Sequence, residues 1–268
     1  MTFTQKVERY RRALWTWRQP LTRRPLASAT PISDLFVWRN SGEWTTSFEL
    51  IDIPGLFSDD EQGLDKHATL FMFDQNGHQF FKKKLELIPG RRQTINLAAF
   101  LSEANGAAGT FAIFHSSSPP ALEPIGSFLA ERGYVSYRYR DAPLRAYVHG
   151  NLDAIARGVD GGLQLLGCSS FLSREYSLQH ALQPGVVYEL GMVNPTSIAQ
   201  RCVCNLVSVH GGKIISSESI KLAPGGIQLV SVQADNSESA RLVIQSHLVM
   251  ARPLVFRIQN FKLDVFHG

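Results

Sequence analysis

The chain has 268 residues, of which 44% are hydrophobic, and it carries a formal net charge of +4. This length holds one large domain or two of roughly 100 to 130 residues, with the apolar fraction of a globular protein. No run of 18 apolar residues occurs, and arginines interrupt every apolar stretch near the start, so transmembrane helices and a signal peptide are not predicted. The sequence therefore predicts a cytoplasmic protein.

Residues 1–31 are predicted to form a basic arm and linker. Seven Lys and Arg residues stand against one Glu before Pro31, which gives the arm +6 and leaves −2 for the remainder. Val7, Tyr10, Leu14 and Trp17 recur at helical spacing and predict a short amphipathic helix. This helix would dock on an acidic protein partner, lie on an anionic membrane surface, or pack on its own chain. The partner-binding candidates are Arg11, Arg12, Trp15, Trp17 and Arg18.

From residue 34 onward the apolar residues alternate as in β-strands, with Gly, Pro and Asn between the alternating runs. In the first half, strands are predicted at residues 35–40, 44–53, 68–73, 79–87, 93–97, 110–115 and 134–140. In the second half, they are predicted at residues 162–169, 175–181, 186–193, 202–209, 213–222, 226–232, 241–249, 255–259 and 263–267. Only residues 97–105 and 151–157 suit short helices.

Two copies of one unit are predicted, because the same features recur in the same order. The Tyr-Val-His-Gly segment at 147–150 is echoed by Val-Phe-His-Gly at 265–268, and the Pro-Gly turn at 89–90 by that at 224–225. Short strands without room for crossover helices predict an all-β fold of two tandem, related antiparallel β-sandwich domains, jelly-roll or immunoglobulin-like. The predicted domains span residues 32–150 and 158–268, so that His149 and His267 end equivalent strands.

Two motifs carry a family resemblance. Residues 88–95 (Ile-Pro-Gly-Arg-Arg-Gln-Thr-Ile), with residues 242–248 leading to Pro253, resemble the sensory rhodopsin transducer family. In that family a Pro-Xaa-Arg-Arg turn precedes a strand, and a Val-Ile-Gln-Ser strand leads to a late Pro-apolar strand. The resemblance implies a small cytoplasmic β-sandwich that binds a partner, as an oligomer, and is not an enzyme. Relatives of that fold are connected with carbohydrate-binding sandwiches and membrane-receptor partners.

The sequence does not support catalysis or metal binding. None of the eight histidines has the spacing of a zinc site, and neither a nucleophile elbow nor a phosphate-binding loop occurs. Cys202 and Cys204 share one face of a predicted strand and are expected in the core. With Cys168, they are too few for a disulfide framework. No cofactor, metal or catalytic residue is therefore assigned.

One stretch, residues 134–140, combines aromatic and basic side chains. Strand alternation places Tyr137 and Tyr139 on one face, and Arg138 and Arg140 on the other. Aromatic rings stack on sugars and arginines bind carboxylates, so this strand suits an acidic sugar or a lipid-linked glycan; the alternative is Tyr in the core and Arg in water. The ligand-binding candidates are Tyr137, Arg138, Tyr139, Arg140, Arg145, Tyr147, His149, His267, Arg91 and Arg92.

Three hypotheses follow for the function. The first is a non-catalytic binding or adaptor protein for a glycan or protein partner, which can also form a homo-oligomer; nothing beyond the arm suggests nucleic-acid binding. The second is an enzyme whose site lies between the halves and uses His149 or His267 as acid or base, with Asp141 or Asp264. The third is a structural subunit of an assembly. A separation of more than about 15 Å between the two histidines would end the idea of a shared catalytic site.

Overall fold

A computed structural model describes most of the chain. The described residues are 7, 31–56, 66–116, 130–131, 133–150, 153–158, 160–234, 238–249 and 251–268. Apart from Val7 and Pro31, the predicted N-terminal arm lies outside these residues, as do its candidates Arg11, Arg12, Trp15, Trp17 and Arg18.

Within the described part of residues 31–268, twenty strands account for the regular structure, with one helical turn, α1 (Ile53–Leu56), and one 3₁₀ turn (Leu97–Phe100). The first strands are β1 (Ile32–Ser33), β2 (Phe36–Arg39), β3 (Trp44–Ile51), β4 (His67–Phe73), β5 (Gln79–Glu86), β6 (Arg92–Asn96), β7 (Ala108–His115), β8 (Ala130–Glu131), β9 (Tyr134–Tyr139) and β10 (Ala146–His149). The others are β11 (Ile155–Arg157), β12 (Leu163–Leu165), β13 (Ser169–Ser177), β14 (Val187–Val193), β15 (Gln200–Ser208), β16 (Ile214–Leu222), β17 (Ile227–Gln233), β18 (Ala240–Leu248), β19 (Leu254–Gln259) and β20 (Lys262–His267).

These strands form five four-stranded sheets. Their strand orders are β2-β7-β4-β5 (sheet I), β10-β9-β3-β6 (sheet II), β12-β11-β1-β8 (sheet III), β17-β14-β19-β20 (sheet IV) and β13-β18-β15-β16 (sheet V). Neighbouring strands are antiparallel, except that β1 pairs in parallel with β8. Every sheet thus joins segments that are distant in the sequence.

The predicted architecture of two tandem sandwiches is wrong. The chain is all-β, with 60% strand and 4% helix, but its five sheets are arranged as a five-bladed β-propeller. The largest core combines both halves: the Phe256 ring of β19 lies 5.3 Å from Trp44 of β3 and 5.0 Å from Tyr137 of β9. Alternation along a strand shows which residues share a face of the sheet, but it does not show which other sheets pack on that face. In sheet IV, both faces are packed against other parts of the chain. The domain boundaries at 32–150 and 158–268 stay a prediction.

Two turns from opposite halves also meet. The turn at Gly77, between β4 and β5, lies so close to the Pro224 carbonyl that a Cβ at position 77 would approach its oxygen to 2.0 Å. Ile227 donates its N–H to the Gln75 carbonyl at 3.0 Å, and the Thr110 hydroxyl donates to the Gly225 carbonyl at 2.8 Å. Glycine is therefore required at position 77 for two reasons: the two backbones approach too closely for a Cβ, and the residue has a positive φ of 78°.

The cysteines behave as the sequence predicts. Cys202 and Cys204 lie on β15 and are buried in the core beneath sheet V, and all three cysteines are free. Burial raises the pKa of Cys202 to about 11 and that of Cys204 to about 12. Both thiols are therefore protonated at neutral pH, which does not suit metal binding or redox chemistry.

One buried cation connects sheets I and IV. Arg39, at the end of β2, is 4% exposed and forms an ion pair with Glu189 of β14. Its guanidinium carbon lies 3.7 Å from the centre of the Trp44 ring and 5.0 Å from that of Phe256. The cation is thus held by one carboxylate and two aromatic rings, a combination that offsets its loss of hydration.

Replacing Glu189 with Ala should destabilise the fold by about 3 kcal/mol, because it leaves the Arg39 charge buried without a partner. Arg140→Ala is the matched control, since Arg140 pairs with Glu43 at the surface, where the two side chains are 43% and 49% exposed, and its removal leaves Glu43 as the acceptor of the Tyr139 hydroxyl. The control should cost no more than about 1 kcal/mol. Urea unfolding measures both values, and equal losses would contradict the role given to Arg39.

Candidate ligand-binding site

Several of the predicted residues share the outer face of sheet II. In the register of this sheet, Tyr147 of β10 lies opposite Ser136 of β9, which lies opposite Ser47 of β3. His149 lies opposite Tyr134 in the same way. Because paired residues point to the same side of a sheet, these side chains form one surface. We call this surface the polar face of sheet II; its residues are Ser47, Glu49, Arg92, Thr94, Tyr134, Ser136, Arg138, Arg145, Tyr147 and His149.

Arg145 lies at the centre of the polar face. Its Nη1 donates to the Ser47 hydroxyl at 2.8 Å and to the Ser136 hydroxyl at 3.2 Å. Both serines are fully buried, so the guanidinium covers them. Small side chains at these two positions leave a depression in the sheet, and the arginine occupies it.

Two tyrosines lie near this arginine. Tyr147 is 51% exposed and Tyr134 is 53% exposed, on adjacent strands and at diagonal positions of the register. The Tyr134 ring meets the edge of His149 with 6.3 Å between ring centres. Large aromatic side chains this exposed contact water over half their surface and are open to stacking.

The opposite margin of the polar face is acidic and hydroxylated. Glu49 of β3 is 6% exposed, accepts a hydrogen bond from the Thr94 hydroxyl at 2.9 Å, and lies 3.5 Å from the Arg92 Nε.

Arg138 is exposed on β9. Arg91 is exposed in the turn before β6 and lies outside the described strands.

Two of the predicted ligand-binding residues have the opposite orientation. Tyr137 is fully buried in the core and donates its hydroxyl to the Val37 carbonyl at 2.8 Å, and burial raises its pKa far above the ordinary value. Tyr139 is also buried and donates to a Glu43 carboxylate oxygen at 3.1 Å. These tyrosines therefore pack the core, which is the alternative that the sequence left open, and are not available for stacking on a sugar.

The residues that complete the polar face were not among the predicted site residues. Tyr134, Ser136 and Arg138 are alternate residues of β9, so strand alternation alone would have placed Tyr134 on the same face as Arg138. Ser47, Glu49 and Thr94 come from β3 and β6, and only the strand pairing places them beside β9.

His149 and His267 are in contact, with 5.7 Å between ring centres. The Nε2 of His267 donates to the His149 carbonyl at 2.6 Å, and the Nδ1 of His149 donates to the Gly150 carbonyl at 2.6 Å. Because a carbonyl only accepts, these bonds fix which nitrogen carries the proton in each ring. The distance between the two rings is well below the limit of about 15 Å, so the hypothesis of a shared catalytic site is not excluded. One nitrogen of each ring is nevertheless bonded to a main-chain carbonyl.

A small cleft lies next to the two histidines. It encloses about 70 Å³, enough for a few water molecules, and Asp34, Tyr137, Arg252 and His267 contribute to its wall. Within the described residues, no group of three or more His, Cys, Asp or Glu side chains is placed to hold a metal ion.

No family model and no curated protein matches the chain. Among solved structures, the chain is similar to the M60 catalytic domain with the CBM51-1 and CBM51-2 domains from Clostridium perfringens ZmpB, with 10% identity and a TM-score of 0.18. That match covers 86% of this chain and 33% of the other, so the chain spans about a third of that structure. The resemblance to the sensory rhodopsin transducer family stays a prediction.

Among the described residues, no helix has the length and apolar character needed to span a membrane. The cytoplasmic location and the docking role of the N-terminal arm stay predictions.

His267 should make the stability of the fold depend on pH. Burial lowers its pKa, and Arg252 and His149 lower it further, against the opposing effect of the bond to the His149 carbonyl. In the unfolded chain the imidazole titrates at about 6.5. Below that pH the unfolded state binds more protons than the native state, so stability falls as the pH is lowered towards the native pKa.

Replacing His267 with Gln, whose amide can still donate to the His149 carbonyl, should reduce this loss of stability. Urea unfolding of both proteins at several pH values between about 5 and 7.5 measures the difference. Parallel stability curves would contradict the assignment to His267.

Proposed function

We propose that the protein is a non-catalytic binding protein and that the polar face of sheet II binds a glycan carrying a carboxylate. The observation that carries this proposal is the position of Arg145, which two buried serines hold on the same face of the sheet as two half-exposed tyrosines. A charged group, hydroxyl partners and aromatic rings thus lie on one surface, the combination that an acidic sugar requires.

Arg145 supplies the charge recognition. Two donors of its Nη1 are used by Ser47 and Ser136, and the guanidinium makes no other hydrogen bond to a described residue. Its Nε and Nη2 remain for a ligand, and these two nitrogens form the fork that binds a carboxylate in a bidentate way. The serines fix the plane of the fork before the ligand arrives, which reduces the entropy lost on binding.

Tyr134 and Tyr147 supply the stacking surface. A sugar ring has an apolar face of C–H groups and an edge of hydroxyls, so it can lie on a tyrosine ring while its edge faces polar groups. Glu49 provides an acceptor two strands from Tyr147, and Thr94 provides a hydroxyl three strands from it. A ligand that bridges these strands needs more than one sugar ring.

The second hypothesis, an enzyme that uses His149 or His267, receives less support. Main-chain carbonyls occupy one nitrogen of each ring, and Ser, Thr and Cys nucleophiles are absent from the described wall of the cleft. It stays a hypothesis, as do a protein partner for the adaptor and a structural role in an assembly.

Replacing Arg145 with Ala should weaken binding of an acidic oligosaccharide about tenfold to a hundredfold, because a charge-assisted hydrogen-bond pair is lost. Binding of the neutral analogue should change much less. Tyr147→Ala should weaken acidic and neutral ligands alike, since stacking does not depend on charge. A glycan array on the full chain identifies the ligand, and isothermal titration calorimetry measures each variant.

Arg201→Ala is the matched control. Arg201 is an exposed arginine on β15 of sheet V, and its Nε donates to the Ser219 hydroxyl at 2.8 Å. It therefore shares the sheet-face setting of Arg145 but has no tyrosines described beside it. Equal losses in the two variants, or no binding of any acidic glycan by the unmodified chain, would refute the proposal.

A further inference from the structure

A second surface lies at the end of sheets II and IV, where two turns meet. One turn joins β9 to β10, and the other joins β19 to β20. Between them is an open groove of about 770 Å³. We call it the turn groove; its residues are Arg140, Asp141, Ala142, Pro143, Leu144, Asn260, Phe261, Lys262 and Leu263.

Unfavourable backbone conformations concentrate in the turn groove. Within the described residues, the non-glycine residues with positive φ are Arg140 at 51°, Asn260 at 50° and Phe261 at 62°. All three line the groove. Such conformations cost free energy in residues with a side chain, and they accumulate where a protein needs a particular side chain at a particular place.

Phe261 is the least expected of the three. Gln259 pairs with Lys262, so Asn260 and Phe261 form a two-residue hairpin turn with positive φ at both positions. That geometry favours Asn followed by Gly. Here Phe occupies the glycine position although the residue is 66% exposed, so burial in the described core does not explain the choice.

Leu144 extends the apolar surface from the other turn. Its side chain is 80% exposed. The guanidinium of Arg140 lies 5.2 Å from the Phe261 ring centre and is paired with Glu43 at 2.6 Å. Exposed aromatic rings and arginines are enriched in protein–protein interfaces.

The charges of the groove indicate the partner. Glu43 neutralises Arg140, which leaves Asp141 and Lys262 as one anion and one cation that form no ion pair with another described residue. A surface with both signs and no net charge does not favour an anionic membrane or a nucleic acid. It is complementary to a copy of itself, because a twofold axis places residue i against residue j and residue j against residue i.

We propose that the turn groove is the contact surface of a twofold-symmetric dimer of this chain. Phe261 and Leu144 of one copy cover the same residues of the other, and each Asp141 faces the Lys262 of its partner. This proposal does not depend on the glycan site, because the residues that carry it lie outside the polar face of sheet II.

Replacing Phe261 with Gly separates folding from association. At a concentration where both proteins are monomers, the variant should unfold at a temperature about 2–4 °C higher, because glycine relieves the positive φ. Its dimerisation constant should nevertheless weaken about tenfold or more, because the aromatic anchor is lost. Phe171→Ser is the control, since Phe171 is 84% exposed on β13 of sheet V, and it should dimerise as the unmodified chain does.

Charge reversal tests the symmetry of the contact. Asp141→Lys alone and Lys262→Asp alone should each weaken the dimer, because two like-charge contacts replace two attractive ones. An equimolar mixture of the two variants should associate again. In the mixed dimer the introduced lysine of one copy faces the introduced aspartate of the other, and the unchanged Lys262 of the first faces the unchanged Asp141 of the second.

Sedimentation equilibrium of the full chain over a range of concentrations measures every variant. The proposal is overturned if the unmodified chain remains a monomer at about 100 μM, a concentration far above a typical homodimer constant. It is also overturned if Phe261→Gly associates normally, or if the mixture of charge variants stays monomeric. Binding of a short oligosaccharide that occupies one polar face should be unchanged in the monomeric Phe261→Gly protein, which keeps the test of the groove separate from the test of the glycan site.

Discussion

The arrangement of the sheets depends on the buried guanidinium of Arg39. A cation out of water is costly unless a carboxylate and further contacts replace its hydration, and here Glu189, Trp44 and Phe256 do so. These residues come from β2, β14, β3 and β19, so satisfying one charge draws sheets I, II and IV together. Sheet IV is thereby covered on both faces, and β10 comes to lie beside β20. The contact between His149 and His267 is a consequence of this placement.

The repeated His-Gly endings consequently have different surroundings. His149 is exposed and meets Tyr134 on the polar face, whereas His267 donates to the main chain of its counterpart and has a lowered pKa. Two similar sequence endings thus place one histidine on the polar face and the other at a junction between sheets. Histidines in contact at a cleft suggest catalysis, but their bonds to carbonyls are better explained by the structural need to satisfy main-chain acceptors where two sheets meet.

The strands could be predicted from the sequence because alternation is a local property. The strand predicted at 79–87 corresponds to β5, and that predicted at 186–193 to β14. The sheets could not be predicted, since the partner of each face depends on packing between distant segments. For the same reason, Arg145 was found from its residue type, whereas the serines that orient it were not. Alternation correctly placed Tyr137 and Arg138 on opposite faces of β9. Which of the two faces meets water is determined by the packing of the core, and this packing could not be predicted from the strand alone.

The two proposed surfaces have a joint consequence. The turn groove follows directly from β9 and β10, the strands that carry Tyr134, Arg145 and Tyr147 on the polar face. A twofold axis through the groove therefore places two polar faces near each other in one dimer. A polymeric acidic glycan that reaches both faces binds the second in an intramolecular step, so its avidity exceeds the affinity of either face. In this proposed dimer, weak individual sites would suffice for firm attachment to a polymer, and the Phe261 side chain would contribute to binding only by supporting the dimer that pairs them.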